Sequence, residues 1–154
     1  MNLLKATITL AWVLLATPAF ADSHNAALQT IVDKTYDFSR TWNTGKVEDY
    51  VALYEQSDEF ALYYSGGRQV GIEDARGLYY AEWPTEDKMG KFEVFDVKAR
   101  MLSPTSALSH GLFQHRFTDK TVNGNFTLVW VLEGGNNWKI AHEHSARISV
   151  EAPQ

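Results

Sequence analysis

The chain of 154 residues carries a formal net charge of −5, contains no cysteine and is 13% aromatic. An acidic chain without a basic block is poorly suited to nucleic acid or to an anionic lipid surface. Lacking cysteine, it has no disulfide, thiolate nucleophile or zinc–cysteine centre, and its length suits one domain with a real core.

The first 21 residues read as an export leader. Lys5 gives a positive start, Ala6–Ala16 is an apolar run too short to span a bilayer, and "TPAFA" ends it with a helix-breaking Pro18 and an A-x-A pattern. Cleavage between Ala21 and Asp22 leaves residues 22–154 as a single domain, secreted or periplasmic, with a charge of about −6. No second stretch is apolar enough for a membrane helix.

Three helices are predicted next. Leu28, Ile31, Val32, Thr35, Phe38 and Trp42 share one helical face, with Asp22 or Ser23 as its cap and "NTG" as its end. A shorter helix carries Val47, Tyr50, Val51 and Tyr54 as its apolar stripe. "DEFALYYSGG" then reads as a strand running into a Gly-Gly turn, and Ile72–Trp83 as a third helix with a weakly capped start.

The second half changes character. Lys91–Leu102, Ser106–Phe117, Thr121–Glu133 and Trp138–Val150 are rich in β-branched and aromatic residues, divided by "SPT", "TDK" and "GGNN". Breaks this short join antiparallel neighbours, since a parallel crossover needs about a dozen residues or more. Helices followed by a long meander make an α+β domain, three N-terminal helices packed on a curved antiparallel sheet.

In this order the elements resemble the nuclear transport factor 2-like superfamily in its SnoaL-like branch. The segments that carry the resemblance are "TWNTGKVEDYVALYEQSDEF", "GGRQVGIEDARGLY" and the closing hairpin "GNFTLVWVLEGGNNWKIAHEHS", the most specific of the three. Lys46 departs from the acid common after the glycine, and Ala146 from a common hydroxyl residue. The resemblance implies a cone-shaped roll with a pocket at its open end and often a homodimer formed through the outer sheet face. Relatives include isomerases, cyclases, dehydratases and hydrolases, as well as binding and assembly modules, so the fold leaves function to the pocket.

The last strand poses the chemical question. Alternate strand residues share a face, so Trp138, Ile140, His142 and His144 are expected to point inward and Lys139, Ala141, Glu143 and Ser145 outward. The two histidines then have three readings. They could bind a metal with His110 or His115, act as general acid or base at a pocket mouth, or simply close the sheet as packed, hydrogen-bonded rings. His142 and His144 are the catalytic candidates, with a tyrosine from Tyr63, Tyr64 or Tyr79 polarising a carbonyl.

Trp42, Tyr63, Tyr79, Trp83, Phe113, His115, Leu128 and Trp130 are the candidate pocket lining, although aromatics of this kind also build cores. Arg68 is a candidate for an anionic substrate group, or a surface arginine beside a turn. There is no phosphate loop, nucleophile elbow or cofactor motif, so any chemistry is expected to be cofactor-free. The expectation is an exported domain that holds a small, largely apolar molecule and either transforms it by acid/base chemistry or acts as a non-catalytic dimeric module.

Overall fold

A computed structural model describes residues 18–152, with side chains from residue 24. Of the predicted leader, only Pro18–Ala21 falls within the described residues; the rest lies outside them. Helix α1 (Pro18–Trp42) starts earlier than expected. Asp22 and Ser23 lie inside this helix and not at its start, so neither caps it. Ile31, Thr35, Phe38, Ser39 and Trp42 form the buried face of α1.

Helix α2 (Val47–Val51) is shorter than its apolar stripe. Tyr54 continues the stripe but leaves the helix to bridge Ile140. Strand β1 (Ala61–Tyr64) turns into a short strand β2 (Gly67–Val70), which the sequence presents only as a turn. Helix α3 (Ile72–Glu82) follows Gly71, whose φ of 89° and lack of a capping side chain fit the weak start. A one-turn helix α4 (Glu86–Met89) was not expected.

The remaining strands are β3 (Lys91–Ser103), β4 (Ser106–Arg116), β5 (Thr121–Leu132) and β6 (Trp138–Glu151). Their ends fall within one residue of the sequence reading. The sheet has six strands in the order β2-β1-β6-β5-β4-β3, antiparallel throughout except where β1 runs parallel to β6. Bulges bend it. Two lie in β3, one around Asp96, whose φ of 51° marks the kink, and one between Met101 and Ser103, and two lie in β6. Each adds an unpaired residue and local twist, which curls the sheet around α1.

Under α1 the core holds one polar chain, fully partnered. The Trp130 indole donates to Ser109 Oγ at 2.9 Å, Ser109 Oγ lies 2.9 Å from Thr35 Oγ1, and Thr35 donates to the Ile31 carbonyl at 2.7 Å. A hydroxyl has one proton, so the Ser109 proton is the one shared with Thr35. Ser109→Ala should leave a buried indole N–H without an acceptor and cost about 1–3 kcal/mol of stability in urea unfolding. An unchanged unfolding midpoint would remove this chain from the account of the core.

Candidate functional site

The open end of the roll holds a cavity of about 410 Å³, within the ~300–1,000 Å³ typical of small-molecule sites. Its walls are mostly aromatic. Trp42, Tyr79 and Trp83 come from α1, α3 and the residue after it; Phe113 and His115 come from β4. Gly124 on β5 makes room for this wall, because a Cβ there would fall 2.3 Å from the Phe113 ring. Tyr63, Leu128 and Trp130 do not line the cavity. Tyr63 is 38% exposed on the convex side, and Leu128 and Trp130 are sealed in the core beneath α1. Arg68 is exposed on the edge strand and does not reach the cavity either.

The expectation for His142 and His144 is corrected by a bulge. In β6, Ile140 pairs with Trp130 of β5, but the next pair along is His142 with Val129. Ala141 is therefore an extra residue. Because a strand alternates with period two, one added residue reverses the facing of all that follow. Trp138 and Ile140 point inward as expected, while beyond the bulge Glu143 turns inward and both histidines turn out. His142 instead packs beside Tyr63 on the convex face, with ring centroids 5.6 Å apart. The bulge sits where β6 changes edge partner: Leu53 and Glu55 bond to Ile140, and β1 takes over at His142.

Glu143 is thus the acid of the cavity, and only 6% of it is exposed. Its Oε2 accepts the Tyr54 hydroxyl at 2.6 Å, and Tyr54 and Tyr79 hydroxyls lie 2.7 Å apart. Since Tyr54 gives its single proton to the carboxylate, Tyr79 donates to Tyr54. No buried side-chain oxygen among the described residues lacks a partner, and Glu143 Oε1 has none in the protein, so Oε1 is open to the cavity. Tyr50 stands next to the pair, its ring 5.6 Å from that of Tyr54 and 5.3 Å from that of Tyr79. The sequence signal for Tyr50 and Tyr54 is their spacing on the α2 stripe; for Glu143 there was none that survived strict alternation.

Electrostatics follow from this enclosure. Burial pushes the Glu143 carboxyl up to about 7, partly offset by the hydrogen bond from Tyr54. Burial and the Glu143 charge hold the Tyr54 and Tyr79 hydroxyls well above the usual tyrosine value, so both remain donors. Burial lowers His115 to about 4, and its Nε2 lies 2.5 Å from the Met89 carbonyl, which also accepts the Trp42 indole. His115 is a neutral imidazole at neutral pH, donating to that carbonyl within a ring of aromatics.

Tyr54→Phe should raise the Glu143 carboxyl further, because the bond it removes favours the charged form. It should cost about 1–3 kcal/mol at pH 8.5 and less at pH 5, where the carboxyl is already protonated. Urea unfolding at the two pH values measures the difference; equal losses would detach Tyr54 from the ionisation of Glu143. Among the described residues no three His, Asp or Glu side chains are grouped to hold a metal ion, and no helix is long and apolar enough to cross a membrane.

Comparison with known proteins gives the architecture a name. No family model matches the chain, and no curated protein matches its sequence. Solved structures do. A protein of unknown function from Shewanella oneidensis, described as nuclear transport factor 2-like, superposes with a TM-score of 0.65 over 82% of this chain and 98% of that one, at 22% identity. The fold is nuclear transport factor 2-like. Other structures with this fold have names that point to chemistry. A provisionally named scytalone dehydratase from Novosphingobium aromaticivorans gives a TM-score of 0.67 at 15% identity, covering 87% of this chain and 92% of that one. A provisionally named ketosteroid isomerase from Parabacteroides distasonis gives 0.60 at 16%, covering 71% and 81%. Nuclear transport factor 2-like cones thus include proteins named for acting on small molecules, and this chain has a cone of the same form.

Proposed function

We propose that the protein binds a small, largely apolar organic molecule in its cone and moves a proton on it without a cofactor, as an isomerase or dehydratase does. The observation that carries this reading is the Glu143 carboxyl, buried at the end of an aromatic cavity with one oxygen held by Tyr54 and the other open. A base is most effective when its pKa lies near the working pH, and burial brings Glu143 to about 7. Glu143 takes a proton from the acidic C–H of the bound molecule and returns it elsewhere on the same molecule. The Tyr79–Tyr54 pair holds the carboxyl in place and adjusts its basicity. Tyr50, whose hydroxyl is kept protonated by burial, is positioned to donate to an oxygen that gains charge.

The test uses an apolar, enolisable probe ketone, 2-tetralone, in deuterated water. The protein should accelerate deuterium incorporation next to the carbonyl, followed by NMR. No acceleration over buffer, with binding demonstrated, would remove the chemistry and leave a binding module.

That second reading has its own support in the convex face. Tyr63, Phe95 and Leu102 are between 38% and 49% exposed there, apolar surface suited to a second copy of the chain. Export after cleavage near Ala21 also belongs to the proposal, and the homodimer through the outer sheet face is open to sedimentation.

A further inference from the structure

Three polar groups of the cavity wall lie along one strand. Strand β6 sends Glu143, Ser145 and Arg147 into it in succession, with no bulge between them. Three in-register residues on one strand face span about 13 Å between the first and last α-carbons, at about 3.3 Å per residue. Glu143 is buried at the inner end, and Arg147 is exposed at the mouth. The β1–β2 turn closes on the same spot. Ser65 Oγ accepts the Arg147 backbone N–H at 2.8 Å, which leaves the Ser65 hydroxyl proton free for another acceptor. Gly66 lets the Tyr64 ring pack against this turn, since a Cβ there would lie 2.5 Å from that ring.

Among the described residues Arg147 makes no ion pair and its guanidinium makes no hydrogen bond, a state it shares with Arg68 and Arg100, but of these three only Arg147 lines the cavity, while Arg40, Arg76 and Arg116 are salt-bridged. A chain with a net charge of −5 repels anions from its surface at large, so a free guanidinium at a cavity mouth is a local exception. Glu82, the last residue of α3, is also part of the lining. The mouth therefore has a cationic side on β6 and an anionic side on α3, and an anion is accepted only along the β6 side.

We propose that Arg147, with the hydroxyls of Ser65 and Ser145, forms an anion subsite at the mouth of the cone, and that the molecule bound there is an aromatic or alicyclic carboxylic acid. Its apolar body lies against Trp83 and Phe113, and its carboxylate lies at the end away from Glu143. This rests on the reading of the cavity as a small-molecule site. Arginine suits the role because its planar fork matches both oxygens of a carboxylate.

Isothermal titration calorimetry with 2-naphthylacetate and its neutral amide, 2-naphthylacetamide, separates the possibilities. Both should bind, the acid about fivefold more tightly than the amide, an effect kept modest by water at the rim. Arg147→Gln should abolish that preference and leave amide binding as it was. Equal affinity of the unmodified protein for the two, or a preference that survives Arg147→Gln, overturns the anion subsite while the cavity reading stands. Binding of neither overturns both.

Discussion

Glu143→Gln is expected to lower the rate of deuterium exchange into 2-tetralone by about 10²- to 10⁴-fold, the range over which a positioned general base acts, while the ketone still binds. The amide keeps the size of the side chain and an oxygen that can accept from Tyr54, so the loss should fall on the chemical step. In the unmodified protein the rate should rise as pH increases through about 7, where the carboxyl ionises. A variant that exchanges at the original rate would take the reaction away from this residue.

The same substitution should raise stability in alkaline solution. The folded carboxyl lies at about 7 against an ordinary 4.5. The folded state thus holds a proton that the unfolded chain has lost, and stability from Glu143 is full below about 4.5 and lost as pH rises through about 7. The shift corresponds to about 3 kcal/mol. Glu143→Gln should therefore be near neutral at pH 5 and stabilising by about 2–3 kcal/mol at pH 8.5, by urea unfolding. His115 acts in the opposite direction. Its folded value of about 4 lies below the ordinary 6.5, so stability from it is full above 6.5 and lost as pH falls through about 4. Comparing Glu143→Gln with the unmodified protein at each pH cancels the His115 contribution.

Deletion of Ala141 is expected to leave the facing of β6 as it is. Ala141 is the unpaired residue of the bulge, so without it Ile140 is followed directly by His142, and regular alternation keeps both histidines outward and Glu143 inward against Tyr54. What the deletion removes is the local bend and twist that the bulge supplies. A cost of about 1–3 kcal/mol in urea unfolding is expected, with deuterium exchange into 2-tetralone retained. Ala141→Gly keeps the residue count and should cost no more than about 1 kcal/mol. A folded deletion variant that has lost all exchange would show that Ala141 is not the residue the bulge adds.

Several of these features were legible in the residues themselves. The apolar spacing of Ile31, Thr35, Phe38 and Trp42 was enough to define the buried face of α1, because a helix repeats every 3.6 residues whatever surrounds it. The four long strands were equally plain, since alternating side chains and short polar breaks are local properties. Trp42, Tyr79, Phe113 and His115 line the cavity from helices and strands whose facing follows their own periodicity, and Trp83, the residue after α3, joins them.

Contacts between distant segments decided the rest. Trp130 and Leu128 have the same aromatic and aliphatic character as the cavity wall, and only the placement of α1 over them makes them core. Gly67–Val70 forms a strand because β1 lies alongside to pair with it, a partner no local pattern announces. The reactive centre depended on tertiary structure most of all. Glu143 meets Tyr54 across 89 positions of chain, and it faces inward because β6 gains a residue where its edge partner changes. Sequence alternation counts residues in steps of two and carries no record of such an insertion, so the facing of a carboxylate past a bulge is fixed by the strands beside it.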